Sequence, residues 1–232
     1  MRNRHVVIRH IERPDPELVE ALAEAGVSTV HEAMGRLGCL EASIRPIQSG
    51  VRIAGPAVTV LSQAGDNLMV HASVEVCAPG DVVVVATTSR STDAMCGELL
   101  ATSFQVHGVA GLVCDAGIRD AAEIREMGFP IWSRAITAQG TVKESPGSVN
   151  VPVVCAGVRI DPGDIIVADD DGVAVVPSAA AASVLTLATA RLDKEAGTRS
   201  ALAEGVLGVD YYGLRDKLAE IGVTYLEVAE PR

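Results

Sequence analysis

Aromatic side chains are nearly missing from this 232-residue sequence: two Phe, one Trp and three Tyr make up 3%. A core without rings has to be built from Val, Ala, Leu and Ile. With hydrophobic residues at 48%, there are enough of them for a substantial interior. Cations are scarce too, because nineteen Lys and Arg face thirty Asp and Glu, a net charge of −11. That balance argues against a nucleic-acid surface, which needs clustered cations to neutralise phosphates. Lysine is scarcest, with only Lys143, Lys194 and Lys217. Schiff-base chemistry would fall to Lys143, since the other two sit on helices expected to face solvent. Cysteine pairing is also absent. Cys39, Cys77, Cys96, Cys114 and Cys155 form no CxxC and are odd in number, which disfavours a disulfide framework or a zinc finger. Reduced thiols and a cytoplasmic location are expected. No apolar run has membrane-spanning length, and Met1 to Pro14 has no signal-peptide core, so no membrane partner is expected. Neither a GxGxxG nor a Walker motif is present.

The segments that are present alternate. Pro14-Asp15-Pro16 opens an amphipathic helix stopped by Gly26, and Ser28 is placed to cap a second. Val51 to Gln63 reads as a strand, with Pro56 pointing to an edge or a bulge. Gly65-Asp66-Asn67 is a turn capping a helix that runs to Cys77. Val82 to Ala86 is an unbroken apolar run of the kind buried on both faces of a sheet. Cys96 to His107 has helical spacing. Val109 to Cys114 reads as another buried strand, followed by a turn over Asp115 to Asp120 and a helix to Met127. Phe129 to Trp132 is a short strand. Asp169-Asp170-Asp171-Gly172 between two apolar runs signals a hairpin, whose consecutive carboxylates would diverge rather than share a metal. Ser178 is placed to cap a long helix. Alternating strands and helices indicate an α/β fold. With no linker or repeat, a single domain over 1–232 with helical N- and C-terminal extensions is expected.

The chemistry concentrates in Gly97-Glu98-Leu99-Leu100 and, twenty residues after Glu98, Arg119-Asp120. Arg119 and Asp120 follow a buried strand and begin a helix, where open α/β sheets place ligands and where backbone amides are free for anions. Arg119 can grip a carboxylate with two parallel hydrogen bonds. Asp120 can give a hard oxygen to Mg²⁺ or Mn²⁺. A plainer alternative fits the same residues: Asp120 caps its helix, Arg119 pairs with it, and Glu98 is a solvated first-turn acid. Asn67 and His71 are possible pocket residues. A helix cap for Asn67 and a packed histidine for His71 compete with that role. Cys96, beside Glu98, reads as a small buried residue.

The pattern Glu98-x20-Arg119-Asp120-x2-Glu123 resembles the signature of class II pyruvate aldolases acting on 4-hydroxy-4-methyl-2-oxoglutarate or 4-carboxy-4-hydroxy-2-oxoadipate. Their superfamily includes the regulators of ribonuclease E activity. Val30-His31-Glu32-Ala33, Gly65-Asp66-Asn67, the stretches 138–144 and 147–153, and 167–172 extend the resemblance in order. Such signatures often carry Asp where this chain has Glu98. The resemblance implies a layered α-β-β-α sandwich of the ribonuclease E regulator-like type. It also implies Asp120 as the single protein ligand to Mg²⁺ or Mn²⁺. Arg119 and the amides around Leu99 and Leu100, next to Gly97, would hold a 2-keto acid, and Glu98 with Arg119 would position a proton-carrying water. Self-association as a trimer or hexamer is implied, as is oxaloacetate decarboxylation as a side activity. A non-catalytic protein that binds a ribonuclease and a dedicated oxaloacetate decarboxylase are the rivals. A menaquinone methyltransferase role has no cofactor motif to support it.

Overall fold

The computed structural model describes residues 5–228, and its contacts divide the chain into two units, Met1–Ala188 and Thr189–Arg232. The first unit begins with α1 (Pro16–Ala25), α2 (Val27–Ala33), β1 (Arg45–Pro46) and β2 (Ile53–Ser62). Next come α3 (Leu68–Ser73), β3 (Val82–Thr87), β4 (Ala94–Cys96), α4 (Glu98–Val106), β5 (Gly111–Ile118), α5 (Ala121–Met127) and β6 (Ile131–Ile136). Short strands β7 (Ser148–Val149), β8 (Val153–Cys155) and β9 (Val158–Ile160) lead to the hairpin of β10 (Ile165–Asp169) and β11 (Gly172–Val176). Helix α6 (Ala181–Ala203) runs from the first unit into the second, which adds α7 (Gly208–Tyr211) and α8 (Leu214–Glu220).

One sheet has the order β1-β6-β5-β3-β2-β10-β11, with β4 added to β5 and β7 to β2. Its centre, β2-β3-β5-β6, is parallel, while β10 and β11 are antiparallel. Strand periodicity of two sorts the side chains into separate cores. Val83, Val85, Leu112 and Cys114 face Met69, Leu100, Phe104 and Ile124 of α3, α4 and α5. Val82, Val84, Val113 and Trp132 face the other way, toward Ile166, Val173 and Val175 of the hairpin and Val153 and Ile160 of β8 and β9. Ile165, Val167 and Val176, on the hairpin's far side, pack on Val19, Leu22 and Val30 of α1 and α2 and on Val184. The result is helices, sheet, second β layer, helices: the α-β-β-α layering expected. Val82 to Val85 are fully buried, as their unbroken apolar run requires.

Several local expectations change. Strand β5 continues through Ile118, where a turn over Asp115 to Asp120 was expected, because β4 supplies backbone partners at Gly117 and Ile118. For the same reason Cys96 ends a strand instead of opening a helix. Pro56 lies inside the sheet, neither at its edge nor at a bulge. It is the last residue of β2 paired to β10 before pairing to β3 begins at Ala57, so its missing N–H falls where the partner changes. Ser28 lies within α2 and donates to Asp171 Oδ2, and Gly26 takes the cap position. Ser178 makes no side-chain cap, and its N–H donates to Asp164 Oδ1 instead.

An extended arm precedes α1. It is tied down by a bidentate pair, Arg13 Nε and Nη2 to the two oxygens of Asp81, both at 2.8 Å. The Asp81 side chain is fully buried and that of Arg13 is 30% exposed. Among the described residues, Arg13→Ala leaves the buried carboxylate with only the Ala78 N–H. A stability loss of about 2 kcal/mol is expected, read as a lower melting temperature.

The second unit is helical and largely exposed. Thr198 hydrogen-bonds with the Tyr211 hydroxyl at 3.1 Å, Tyr211 meets Tyr212 edge-on, and Asp210 pairs with Arg215. Among the described residues, no helix is long and apolar enough to cross a membrane.

Candidate active site

Strands β4 and β5 run parallel, with Cys96 beside Ile118. Each hands the chain to a helix at its carboxyl end: β4 through Gly97 into α4, and β5 through Arg119-Asp120 into α5. Two strand-to-helix turns therefore sit side by side, joined by the Arg119 N–H donating to the Cys96 carbonyl at 2.9 Å. This brings together residues more than twenty positions apart in the chain.

Asp120 holds a left-handed backbone, φ 56° and ψ 40°. For a residue with a Cβ that conformation costs about 1 kcal/mol, least for Asn and Asp. It occupies the cap position of α5, yet its side chain makes no cap bond to that helix. Oδ2 instead accepts the Glu98 N–H of α4 at 3.1 Å and lies 3.4 Å from Arg119 Nε. No hydrogen bond to Oδ1 is found among the described residues. The plain reading, an aspartate capping its own helix, therefore fails, although the pairing with Arg119 stands. The side chains of Arg119 and Asp120 are 48% and 41% exposed. They line a hollow of about 460 Å³ with Ile136, Thr137 and Ala138.

Gly97 is required by space, not by its backbone angles. A Cβ there would lie 2.6 Å from Asp120 Oδ2 and 3.0 Å from Arg119 Cγ and Nε. Leu99 and Leu100 occupy the first turn of α4, the Leu99 side chain exposed and Leu100 packed into the core. Their amides belong to a helix start and have no intrahelical acceptor. Glu98 turns along its helix, where Oε1 accepts the Thr102 hydroxyl at 3.0 Å. Glu98 does not line the hollow, nor do Asn67 and His71.

Asn67 is buried, with Nδ2 donating to the Met95 carbonyl at 3.1 Å and Oδ1 unpartnered. The capping expected of Asp66 and Asn67 falls to Asp66 alone, whose Oδ1 accepts the Leu68 N–H at 2.9 Å. His71 is exposed on α3, and partial desolvation with the nearby Lys143 lowers its proton affinity. Full burial raises the Cys96 thiol well above its ordinary range, so Cys96 is an inert core residue. The aspartates at 169–171 make the expected hairpin turn but do not fully diverge: Asp169 and Asp171 both reach the start of α2, at the Val27 N–H and the Ser28 hydroxyl, Asp170 accepts the Gly50 N–H, and all three line one hollow.

The sequence did not assign the wall formed by Ile136, Thr137 and Ala138 to the site. Gly140 follows in the same loop, and a Cβ on it would stand 3.1 Å from Arg119 Nη1. Burial alone would raise the Asp66 carboxyl, but the Leu68, Glu144 and Ser145 amides outweigh it and hold the carboxyl below its ordinary value. The sign follows: this anchoring is complete above the usual carboxylate range and is lost as pH falls through the depressed value. The protection of the Glu144 and Ser145 amides against hydrogen exchange, measured relative to the intrinsic rate at each pH, is expected to fall in acid before that of the central strands.

Fold and site together define an α/β protein with two coupled strand-to-helix turns presenting an arginine and an aspartate. Residues 24–175 match the RraA-like family, described as Aldolase/RraA, and the chain belongs to that family. A Halalkalibacterium halodurans protein provisionally named a 4-hydroxy-4-methyl-2-oxoglutarate aldolase is 34% identical, over 79% of this chain and 87% of its own length. Streptomyces coelicolor RraAS2 is described as an unusual member of the RNase ES inhibitor RraA protein family. Its crystal structure superposes with a TM-score of 0.73 at 35% identity, covering 82% of this chain and 99% of that one. The RNA-processing inhibitor RraA from Thermus thermophilis gives 0.59 at 28% identity, over 65% and 91%.

Proposed function

We propose that this protein is a class II, divalent-metal-dependent aldolase. It would cleave 4-carboxy-4-hydroxy-2-oxoadipate to pyruvate and oxaloacetate, or 4-hydroxy-4-methyl-2-oxoglutarate to two pyruvates. The observation that carries this is Asp120: a strained aspartate that declines its own helix, leaves Oδ1 unpartnered and stands beside Arg119.

Asp120 fits a hard cation. Among the described residues, no group of three His, Cys, Asp or Glu is placed to hold a metal. A metal here would have one carboxylate and otherwise water, a donor set suited to Mg²⁺ or Mn²⁺ and poor for Zn²⁺. When bound, the ion supplies Lewis-acid stabilisation of negative charge on the substrate's 2-keto oxygen. Arg119 holds the carboxylate end of the substrate, and the Leu99 and Leu100 amides complete that grip. Transfer of the C4 hydroxyl proton to a water in the site forms the C4 carbonyl as the C3–C4 bond breaks, and the electron pair of that bond passes to the pyruvate enolate. Arg119 stabilises that enolate electrostatically. Glu98 would have to turn from Thr102 to position, with Arg119, the water that protonates C3. Decarboxylation of oxaloacetate gives the same enolate and is a side activity of this reading. A place in aromatic-acid catabolism and assembly as a trimer or hexamer belong to the same proposal.

Pyruvate release from each substrate, coupled to lactate dehydrogenase, tests the assignment. Activity with Mg²⁺ that EDTA abolishes supports it. A folded protein inactive with metal on both substrates overturns it. The similarity to an RNase ES inhibitor family favours a second reading, a protein that binds and restrains a ribonuclease. Retention of a ribonuclease on the immobilised protein, with no aldol cleavage, would select that reading. A higher kcat/KM on oxaloacetate than on either aldol would select a dedicated decarboxylase.

A further inference from the structure

We propose that Asp66 is a positioning residue for Arg119, acting through the loop of residues 137–147. The inference rests on the reading of Arg119 as the group that grips the substrate carboxylate. Asp66 is 2% exposed. Its Oδ2 accepts two loop amides, Glu144 N–H at 2.8 Å and Ser145 N–H at 2.6 Å, while Oδ1 is held by Leu68. Backbone bonds add to the staple: Val142 N–H donates to the Gly65 carbonyl and Asn67 N–H to the Val142 carbonyl, both at 3.0 Å. Backbone amides thus satisfy this buried carboxylate, an arrangement that makes the loop's path strict.

The loop's other end is fixed beside the site. Thr137 N–H donates to the Ile118 carbonyl at 2.9 Å, and Ala94 N–H donates to the Gln139 carbonyl at 2.8 Å. Gly140 lies between the two anchors, where a Cβ would stand 3.1 Å from Arg119 Nη1. Arg119 itself is lightly held. Its side chain is half exposed, and its contact with Asp120 is 3.4 Å long. An arginine side chain has much rotamer freedom to lose, so a fixed wall decides where its guanidinium points. Asp66 sets that wall from the far end of the loop, without touching the substrate.

Two variants approach Arg119 from opposite ends. Asp66→Asn cannot accept at both side-chain ends and loosens the staple. Gly140→Ala keeps the staple and crowds the guanidinium. The readout is the Arg119 Nε–Hε resonance, assigned by its loss in Arg119→Lys. It is expected to move in both variants and to stay in Glu144→Ala, which keeps the backbone amide. kcat/KM for the 2-oxo acid is expected to fall about tenfold, with KM raised and kcat lowered together, because Arg119 both grips the carboxylate and stabilises the enolate. Unchanged Trp132 emission shows that the fold is intact. If Asp66→Asn fails to fold, Asp66→Glu, which keeps the charge but lengthens the arm to the Glu144 and Ser145 amides, decides instead. An unmoved Arg119 resonance with unchanged kcat/KM overturns the proposal. A moved resonance in a protein without aldol cleavage leaves the positioning in place and removes the aldolase reading instead.

Discussion

On the proposed aldolase reading, Asp120→Ala is expected to lower cleavage by about a thousandfold or more, because it removes the one carboxylate that lines the hollow among the described residues and the partner of Arg119 Nε. The same change frees the Glu98 N–H, which Asp120 Oδ2 accepts. That amide sits at an exposed helix start where water can replace the lost acceptor, so the lost bond itself should cost little and the stability change should be set by alanine's greater strain at this backbone. Alanine also keeps the strained φ of 56° at position 120. A Gly at 120 would relieve it, so Asp120→Gly should be the more stable of the two inactive variants. Loss of pyruvate release with a melting temperature that is only a few degrees lower, and that is restored in Asp120→Gly, meets the expectation. Near-normal rates in Asp120→Ala would place the metal elsewhere.

The second large effect is expected at a residue with no side chain. Gly97 has φ −134° and ψ −174°, extended angles that alanine adopts freely. Gly97→Ala therefore carries no backbone penalty, and its whole effect is steric. The added methyl would meet Asp120 Oδ2 at 2.6 Å and Arg119 at 3.0 Å, and at least one of them must shift. Displacements of about 1 Å at reacting groups cost on the order of a hundredfold in rate. The expected result is a folded protein with kcat down roughly a hundredfold, measured by the same coupled assay. Full activity in Gly97→Ala would mean that the geometry around Asp120 is slack and does not set the rate.

Much of the fold was legible. The valine run of β3, the Asp-Gly turn between β10 and β11 and the Gly26 stop after α1 each carry their own chemistry, and each appears where expected. The four layers came from family resemblance and not from periodicity. What stayed hidden depends on partners distant in sequence. Nothing local to residues 115–118 says that β4 will pair with them and extend β5 to the edge of the site. Likewise Asp120 looks like a helix cap in any sequence window, because its real acceptor role lies 22 positions upstream. Ile136, Thr137 and Ala138 escaped notice as site residues because short apolar and hydroxyl side chains carry no chemical signature. Gly97 was legible as part of a motif, but the reason for glycine needed coordinates.

The buried thiols have a practical consequence. Cys96 ends β4, Cys114 lies in β5 and Cys155 ends β8, all three inside the protein, while Cys39 is exposed. Burial raises Cys114 to about 12 and Cys96 and Cys155 upward as well, so almost none is thiolate at neutral pH. A thiol reagent added to the native protein therefore has one exposed target in Cys39, a half-buried Cys77 whose thiol burial pushes up to about 12, and three that wait for the sheet to come apart. The slow phase of labelling is a built-in clock for global opening, needing no engineered probe. Because Cys96 adjoins Gly97, the same clock times the lifetime of the strand ends that carry the site.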